Sequence, residues 1–337
     1  MKIVFMGTPD FALESLKALY ETDNEIALVV TNPDRKKGRG MKMSFSPVKE
    51  FAVEKNLNIS QPIKIRDNEE FAEELRKIEP DLFCVVAYGK ILPKEILEIP
   101  KYGSINVHGS LLPEYRGACP IQWSVINGDK ETGITTMFMD EGMDTGDIIL
   151  QEKVSIGDDE TLGELWNRLA ILGGKKLVET VSKIEQESSK ISNVNDIKSE
   201  IKKLVNAKKQ GEKFTIAPML TKEIAKINWN ESSLKIKNLI RGLNPEMGAY
   251  AIYNGKKIKV WIAQIVNENA LNELIQDNIE INKFKPGEII LADRRKGLLV
   301  KTGDGVISLL ELQPENSKRM DYTNFLNGYK VEGKFEN

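Results

Sequence analysis

The chain has 337 residues, 41% apolar and 29% charged, with 48 basic and 50 acidic side chains and a net charge of −2. This is the balance of an ordinary globular protein with room for about two domains. It excludes an overall field that draws in an anionic partner, so any such partner needs a local patch. Two cysteines make no disulfide framework and point to a reducing compartment. A single histidine leaves no zinc-type cluster, so no metal is expected. The start, Met1-Lys2-Ile3-Val4-Phe5-Met6, is too short for a signal peptide, and no apolar run of roughly 18 residues follows. The chain therefore reads as cytoplasmic, with no membrane segment.

Along the chain, Ile3–Met6 reads as a buried strand and Gly7-Thr8-Pro9-Asp10 as the turn into a helix, with Thr8 as the expected N-cap. Ile26–Thr31 is a second strand, and Ser46-Pro47 opens a second helix. The stretch Asn68–Ile78 is amphipathic, and Leu82–Ala87 is a continuous apolar strand. Such alternation predicts a doubly wound, mostly parallel, Rossmann-like α/β sheet. A strand at 104–108, a helix at 121–126, strands at 135–139 and 148–154 and a long helix over 161–184 continue it. The expected N-terminal domain is 1–184. From 185 to 207 Ser, Asn, Lys and Glu dominate without aromatic or proline, which reads as a partly helical linker. Residues 208–337 carry short strands and turns, with Asn254-Gly255 as a hairpin signal, and predict a small β-barrel (OB-like) C-terminal domain.

The lone histidine, His108, lies in Ser104-Ile105-Asn106-Val107-His108-Gly109-Ser110. Alternation puts Asn106 and His108 on one face of a short strand, and Gly-Ser ends that strand at its C-terminal edge. Ligands bind at that edge in open α/β sheets. An amide beside an imidazole there can hold a carbonyl and donate to the oxygen that turns negative under attack. The acidic turn Asp140-Glu141-Gly142-Met143-Asp144-Thr145-Gly146-Asp147 offers a carboxylate to orient the imidazole. The residues alone do not choose among its four acids. The first β-α turn lacks the later glycines of a dinucleotide fingerprint, so nucleotide binding is not expected there. Five basic residues, Arg35, Lys36, Lys37, Arg39 and Lys42, share a glycine-containing loop suited to gripping phosphates.

The chain resembles the tetrahydrofolate-dependent formyltransferase family. Carrying the resemblance are Met6-Gly7-Thr8-Pro9-Asp10-Phe11, Asp34-Arg35 with Gly38-Arg39-Gly40, Ser46-Pro47-Val48-Lys49 and Val86-Ala87-Tyr88-Gly89-Lys90-Ile91-Leu92-Pro93. The most diagnostic stretch is Ile105-Asn106-Val107-His108-Gly109-Ser110-Leu111-Leu112-Pro113 with Tyr115-Arg116-Gly117-Ala118. In the second half Arg241, Asn244-Pro245, Val260-Trp261 and Leu312-Gln313-Pro314 agree, whereas Glu246-Met247 stand where the family usually has an aromatic and a second proline. The resemblance implies transfer of a formyl group from 10-formyltetrahydrofolate to the amino group of methionine on initiator tRNA, by a monomer. It implies Asn106, His108 and Asp144 as catalytic residues, and Ser110, Leu111, Leu112 and Pro113 with Tyr88, Gly89, Lys90, Ile91 and Leu92 as the folate site. It also implies Arg35, Lys36, Lys37, Arg39 and Lys42 at the tRNA. Two alternatives are a folate-dependent formyltransferase acting on a small amine, and a non-catalytic RNA-binding protein on the same scaffold.

Overall fold

The computed structural model describes residues 1–37, 42–192, 194–275 and 281–337. The chain packs as two units. One comprises Met1–Pro120, Thr132–Val154 and Trp166–Ala217; the other comprises Ile121–Glu131, Ser155–Leu165 and Pro218–Asn337.

The elements in order begin with β1 (Lys2–Gly7), α1 (Asp10–Tyr20), β2 (Glu25–Val30), β3 (Arg35–Lys37) and β4 (Lys42–Ser44). Next come α2 (Pro47–Glu54), β5 (Ile59–Ser60), α3 (Glu69–Ile78), β6 (Leu82–Val86) and α4 (Lys94–Leu97). Then follow β7 (Ser104–His108), β8 (Arg116–Gly117), α5 (Pro120–Asn127), β9 (Glu131–Phe138) and β10 (Ile148–Ser155). The long α6 (Leu162–Ser188), α7 (Ile197–Leu204) and β11 (Ile216–Ala217) complete this stretch.

The main sheet has the order β10-β9-β7-β6-β1-β2-β5. Pairs from β7 through β5 are parallel, and β9 runs antiparallel to β7. Ile3, Val4, Phe5 and Met6 of β1 are wholly buried. Their unbroken apolar run is what a central parallel strand covered on both faces requires. Helix starts follow local chemistry: Ser46 accepts from Lys49 N, and Asn68 from Phe71 N. The expectation for Thr8 fails. Pro9 is the N-cap of α1, without a side-chain cap bond, and the Thr8 hydroxyl instead accepts from the Asn32 side chain at 3.0 Å. The same Asn32 amide donates to Tyr88 O at 2.8 Å, so it ties together the ends of three strands. Adjacent Gly173 and Gly174 let α6 close on its neighbours: a Cβ at Gly174 would stand 2.8 Å from Glu14 O.

Residues 185–207, expected as a linker, hold the end of α6 and α7, with Ile201 and Val205 fully buried. The chain then bridges Lys208 to Ile148 and pairs β11 with β8 before leaving this unit at Ala217.

In the other unit lie α8 (Ser233–Gly242), β12 (Ala249–Tyr253), β13 (Lys256–Ile265) and α9 (Glu268–Leu274). They are followed by β14 (Ile289–Asp293), β15 (Gly297–Lys301), β16 (Val306–Pro314), β17 (Met320–Asp321) and α10 (Tyr322–Gly328). Its antiparallel ladder runs β12-β13-β16-β15-β14, with β17 beside β16. Asn254 and Gly255, both at positive φ, make the tight turn from β12 to β13 that the sequence signals. The C-terminal segment bridges Ile252 through Glu336 and Glu288 through Lys334. It thus links the two ends of the ladder. Trp229, Phe325 and Phe335 fill the core beneath.

Candidate functional site

β7 lies parallel to β6 and antiparallel to β9, with Val85 and Met137 flanking Asn106 and Thr135 opposite His108. Central placement holds both side chains at the carboxyl edge of the parallel sheet. Asn106 Nδ2 donates one hydrogen to Val85 O at 3.1 Å. A carboxamide nitrogen carries two, so a second remains for a ligand.

His108 is 6% exposed. Its Nε2 lies 2.9 Å from Tyr115 O, and its Nδ1 lies 3.6 Å from Asp144 Oδ2. A carbonyl only accepts, so Nε2 carries a hydrogen. That fixes the ring's orientation and turns Nδ1 to the carboxylate. Of the four acids in the 140–147 turn, Asp144 alone meets His108. Asp140 accepts from Gly142 N and the Thr145 hydroxyl, Glu141 pairs with Lys94, and Asp147 pairs with Lys202. Asp144 sits at φ 55, left-handed backbone, and its Oδ2 also accepts from Gly117 N at 2.8 Å.

The loop after β7 is tied at several points. Ser110 Oγ donates to Glu114 O at 2.6 Å, and Thr135 Oγ1 donates to Ser110 O at 2.6 Å. Leu112 N donates to Thr135 Oγ1 and Leu112 O accepts from Gln151 Nε2. Ser110 and Leu112 are therefore interior supports, while Leu111 and Pro113 are half-buried. In the other expected folate segment, Tyr88 and Leu92 join the apolar core and Ile91 is 72% exposed. Burial pushes the Tyr88 hydroxyl upward in pKa, and that hydroxyl has no hydrogen-bond partner among the described residues. Lys90 Nζ donates to Pro62 O and Ile63 O. Gly89, at φ 75, faces open space where a side chain would stand.

The basic loop is anchored at its base. Lys49 pairs with Asp34 at 2.6 Å and donates to Gln61, holding the Asp34 carboxyl below its ordinary pKa. Arg35, Lys36 and Lys37 of β3 pair with β4, with Lys42 opposite Lys37. Arg39 lies outside the described residues. A second basic cluster, in the other unit, joins cations to aromatic rings. Lys257 stands 3.9 Å over Tyr250, and Arg319 stands 3.3 Å over Trp261. Burial, then the nearby Arg319 and Lys257, lower the pKa of Lys259. Three cations are thus crowded on one surface.

Sequence reasoning misses four supporting side chains: Thr135, Gln151, Gln210 and Thr215. Thr215 Oγ1 accepts from Tyr115 N at 2.7 Å, and Gln210 contacts both Arg116 and the Asp144 turn. Gln210 and Thr215 are far from His108 in sequence and carry no local pattern, so no signal marks them. Among the described residues no group of three or more His, Cys, Asp or Glu is placed to hold a metal. None of the described helices is long and apolar enough to cross a membrane.

Comparison with known proteins gives two family matches: a formyl transferase model over residues 1–181 and a formyl transferase C-terminal domain model over 219–330. The chain is 44% identical over 331 residues to a methionyl-tRNA formyltransferase of Caldanaerobacter subterraneus, covering 98% of each chain. It is 46% identical over 330 residues to a methionyl-tRNA formyltransferase of Carboxydothermus hydrogenoformans, covering 98% of this chain and 97% of that one. Among solved structures, WlaRD, a sugar 3N-formyl transferase, has the same fold with a TM-score of 0.61 at 21% identity, over 94% of this chain and 99% of that one. An N-formyltransferase from Helicobacter canadensis likewise gives 0.61 at 19% identity, over 93% and 99%.

Proposed function

The chain belongs to the formyl transferase family, and from that premise we propose that it transfers a formyl group from 10-formyltetrahydrofolate to the α-amino group of methionine on initiator tRNA, for translation initiation. One observation carries the chemistry: His108 is set between Tyr115 O and Asp144 Oδ2 at the carboxyl edge of the sheet, on the same strand as Asn106. Similarity to methionyl-tRNA formyltransferases over nearly the whole chain supports the substrate.

In this reading the amine attacks the formyl carbon and the carbonyl oxygen becomes negative. Asn106 supplies its second N–H to that oxygen, and His108 supplies another when its Nε2–H exchanges Tyr115 O for the charged oxygen. Each such donor is worth about 3 kcal/mol in a dry site. Asp144 holds the imidazole and orients a water within reach. When the tetrahedral carbon collapses, N10 of the folate leaves with a proton while the new amide nitrogen loses one, and His108 or that water carries the transfer.

The 87–92 segment suits a flat heterocycle. Its backbone is open at Gly89, Ala87 and Gly89 turn it through positive φ, and the exposed Ile91 offers an apolar contact. The half-buried Leu111 and Pro113 would form the neighbouring wall. When bound there, 10-formyltetrahydrofolate supplies the activated formyl group. The basic loop would reach the acceptor end of the tRNA. The Lys257, Lys259 and Arg319 cluster would hold its phosphates, with Tyr250 and Trp261 backing the charges. The proposed partners are the charged tRNA and the folate co-substrate, used in the cytoplasm by a monomer.

The test is formyl transfer from 10-formyltetrahydrofolate to charged initiator tRNA, compared with free methionine and small amines. Efficient use of a small amine, with none of the tRNA, would overturn the reading.

A further inference from the structure

We propose that Gln210 is a positioning residue for the formyl-transfer site, fixing the turn that presents Asp144 to His108; the inference rests on the function proposed above. The carboxamide of Gln210 is fully engaged. Its Oε1 accepts from Arg116 Nε at 3.0 Å and Nη2 at 2.7 Å. Its Nε2 donates to Asp144 O and to Gly146 O, both at 2.8 Å. Two acceptances and two donations exhaust the hydrogen-bonding capacity of the group.

Simple anchoring of the 207–217 segment does not need these donations. Arg116 N to Thr215 O, Tyr115 N to Thr215 Oγ1 and Ala118 N to Ala217 O already fasten it beside β8. What the Nε2 hydrogens add is a hold on the acidic turn, on both sides of Thr145. Asp144 is held in left-handed backbone, which aspartate enters more readily than most residues with a side chain but at a cost its surroundings must offset. Its side chain is restrained by Gly117 N at one oxygen, and its carbonyl by Gln210. Arg116, 8% exposed and stacked 4.5 Å from the Phe214 ring, makes a rigid base for the amide. One side chain thus joins Arg116, from the loop that carries Tyr115 and Gly117, to the turn that carries Asp144. The partners of both imidazole nitrogens are set through it.

The two halves of the amide can be separated. Gln210→Glu keeps the acceptor for Arg116 but turns an oxygen toward the carbonyls of Asp144 and Gly146, where two donors stood. The expected result is a fall in kcat of about tenfold to a hundredfold, with KM for the tRNA and the melting temperature close to the parent. Hydrogen exchange supplies a readout independent of activity: the Gly117 amide and the amides of 142–147 should exchange faster in the variant. Gln210→Ala, which also strips Arg116 of its acceptor, should lower kcat and the melting temperature together. A Gln210→Glu protein with parental kcat and parental exchange overturns the inference. So does one in which kcat falls only in step with the melting temperature. A parent protein that fails to formylate tRNA counts against the proposed function, while the exchange data still decide whether Gln210 holds the turn.

Discussion

Gly117 N donates to Asp144 Oδ2 at 2.8 Å, and that same oxygen stands 3.6 Å from His108 Nδ1. One backbone amide therefore fixes where the carboxylate meets the imidazole. Gly117 sits at φ 117, and a Cβ there would lie 2.8 Å from Ala217 O. Gly117→Ala forces both a disfavoured backbone and a backbone clash. It should destabilise the protein by roughly 1–3 kcal/mol and lower turnover as well. Denaturant unfolding of the variant checks the first part, and a parental midpoint would show that the loop has slack.

His108→Ala, Asn106→Ala and Asp144→Ala should each lower turnover by at least about a hundredfold, with tRNA affinity little changed. Steady-state rates and direct binding separate the two. Near-normal turnover in His108→Ala would remove the oxyanion role from that residue.

The Asp34 carboxyl, held below its ordinary value of 3.8 by Lys49 and then Gln61, gives a pH dependence. Folding favours the ionised form. The contribution is complete above the ordinary value and disappears as pH falls through the lowered, folded one. Parent and Asp34→Asn should differ most in melting temperature near neutrality, and the gap should close as pH falls below the ordinary carboxyl value of 3.8. A gap that persists unchanged at the acid end would assign the difference to something other than ionisation.

Neutralising Lys257 and Arg319 together should weaken tRNA binding across sequences and flatten its dependence on salt, by about one unit of slope for each phosphate that is no longer neutralised. Affinities at several salt concentrations measure this directly. Equal slopes in parent and variant would take the cluster out of the tRNA-binding surface.

A fragment ending at Ile184 retains His108 and Asp144 but lacks Gln210, Thr215 and Ala217, whose backbone and side chains tie down residues 115–118 and the Asp144 turn. Faster hydrogen exchange over 110–118 is expected in that fragment than in one ending at Ala217. Equal protection in both would show that the later segment is dispensable to the loop.

Local chemistry made much of this protein legible from its residues. The apolar run of β1, the helix opening at Ser46-Pro47 and the Asn254-Gly255 turn depend on neighbours within a few positions, so pattern reveals them. Strand alternation likewise placed Asn106 with His108 on one face, and turn residues placed them at an edge. Thr8 shows the limit even at short range, because Asn32, twenty-four residues on, captures the hydroxyl that would otherwise cap α1. Which of four neighbouring acids meets the imidazole was decided by the path of the turn: Lys94 and Lys202 draw two of them away, and Gly117 holds Asp144 in place. The polar composition of 185–207 concealed buried Ile201 and Val205, and gave no hint that Gln210 just beyond reaches the site. A single polar side chain has no periodicity, and its partners are chosen by tertiary packing that brings residues 64 to 94 positions apart into hydrogen-bond reach.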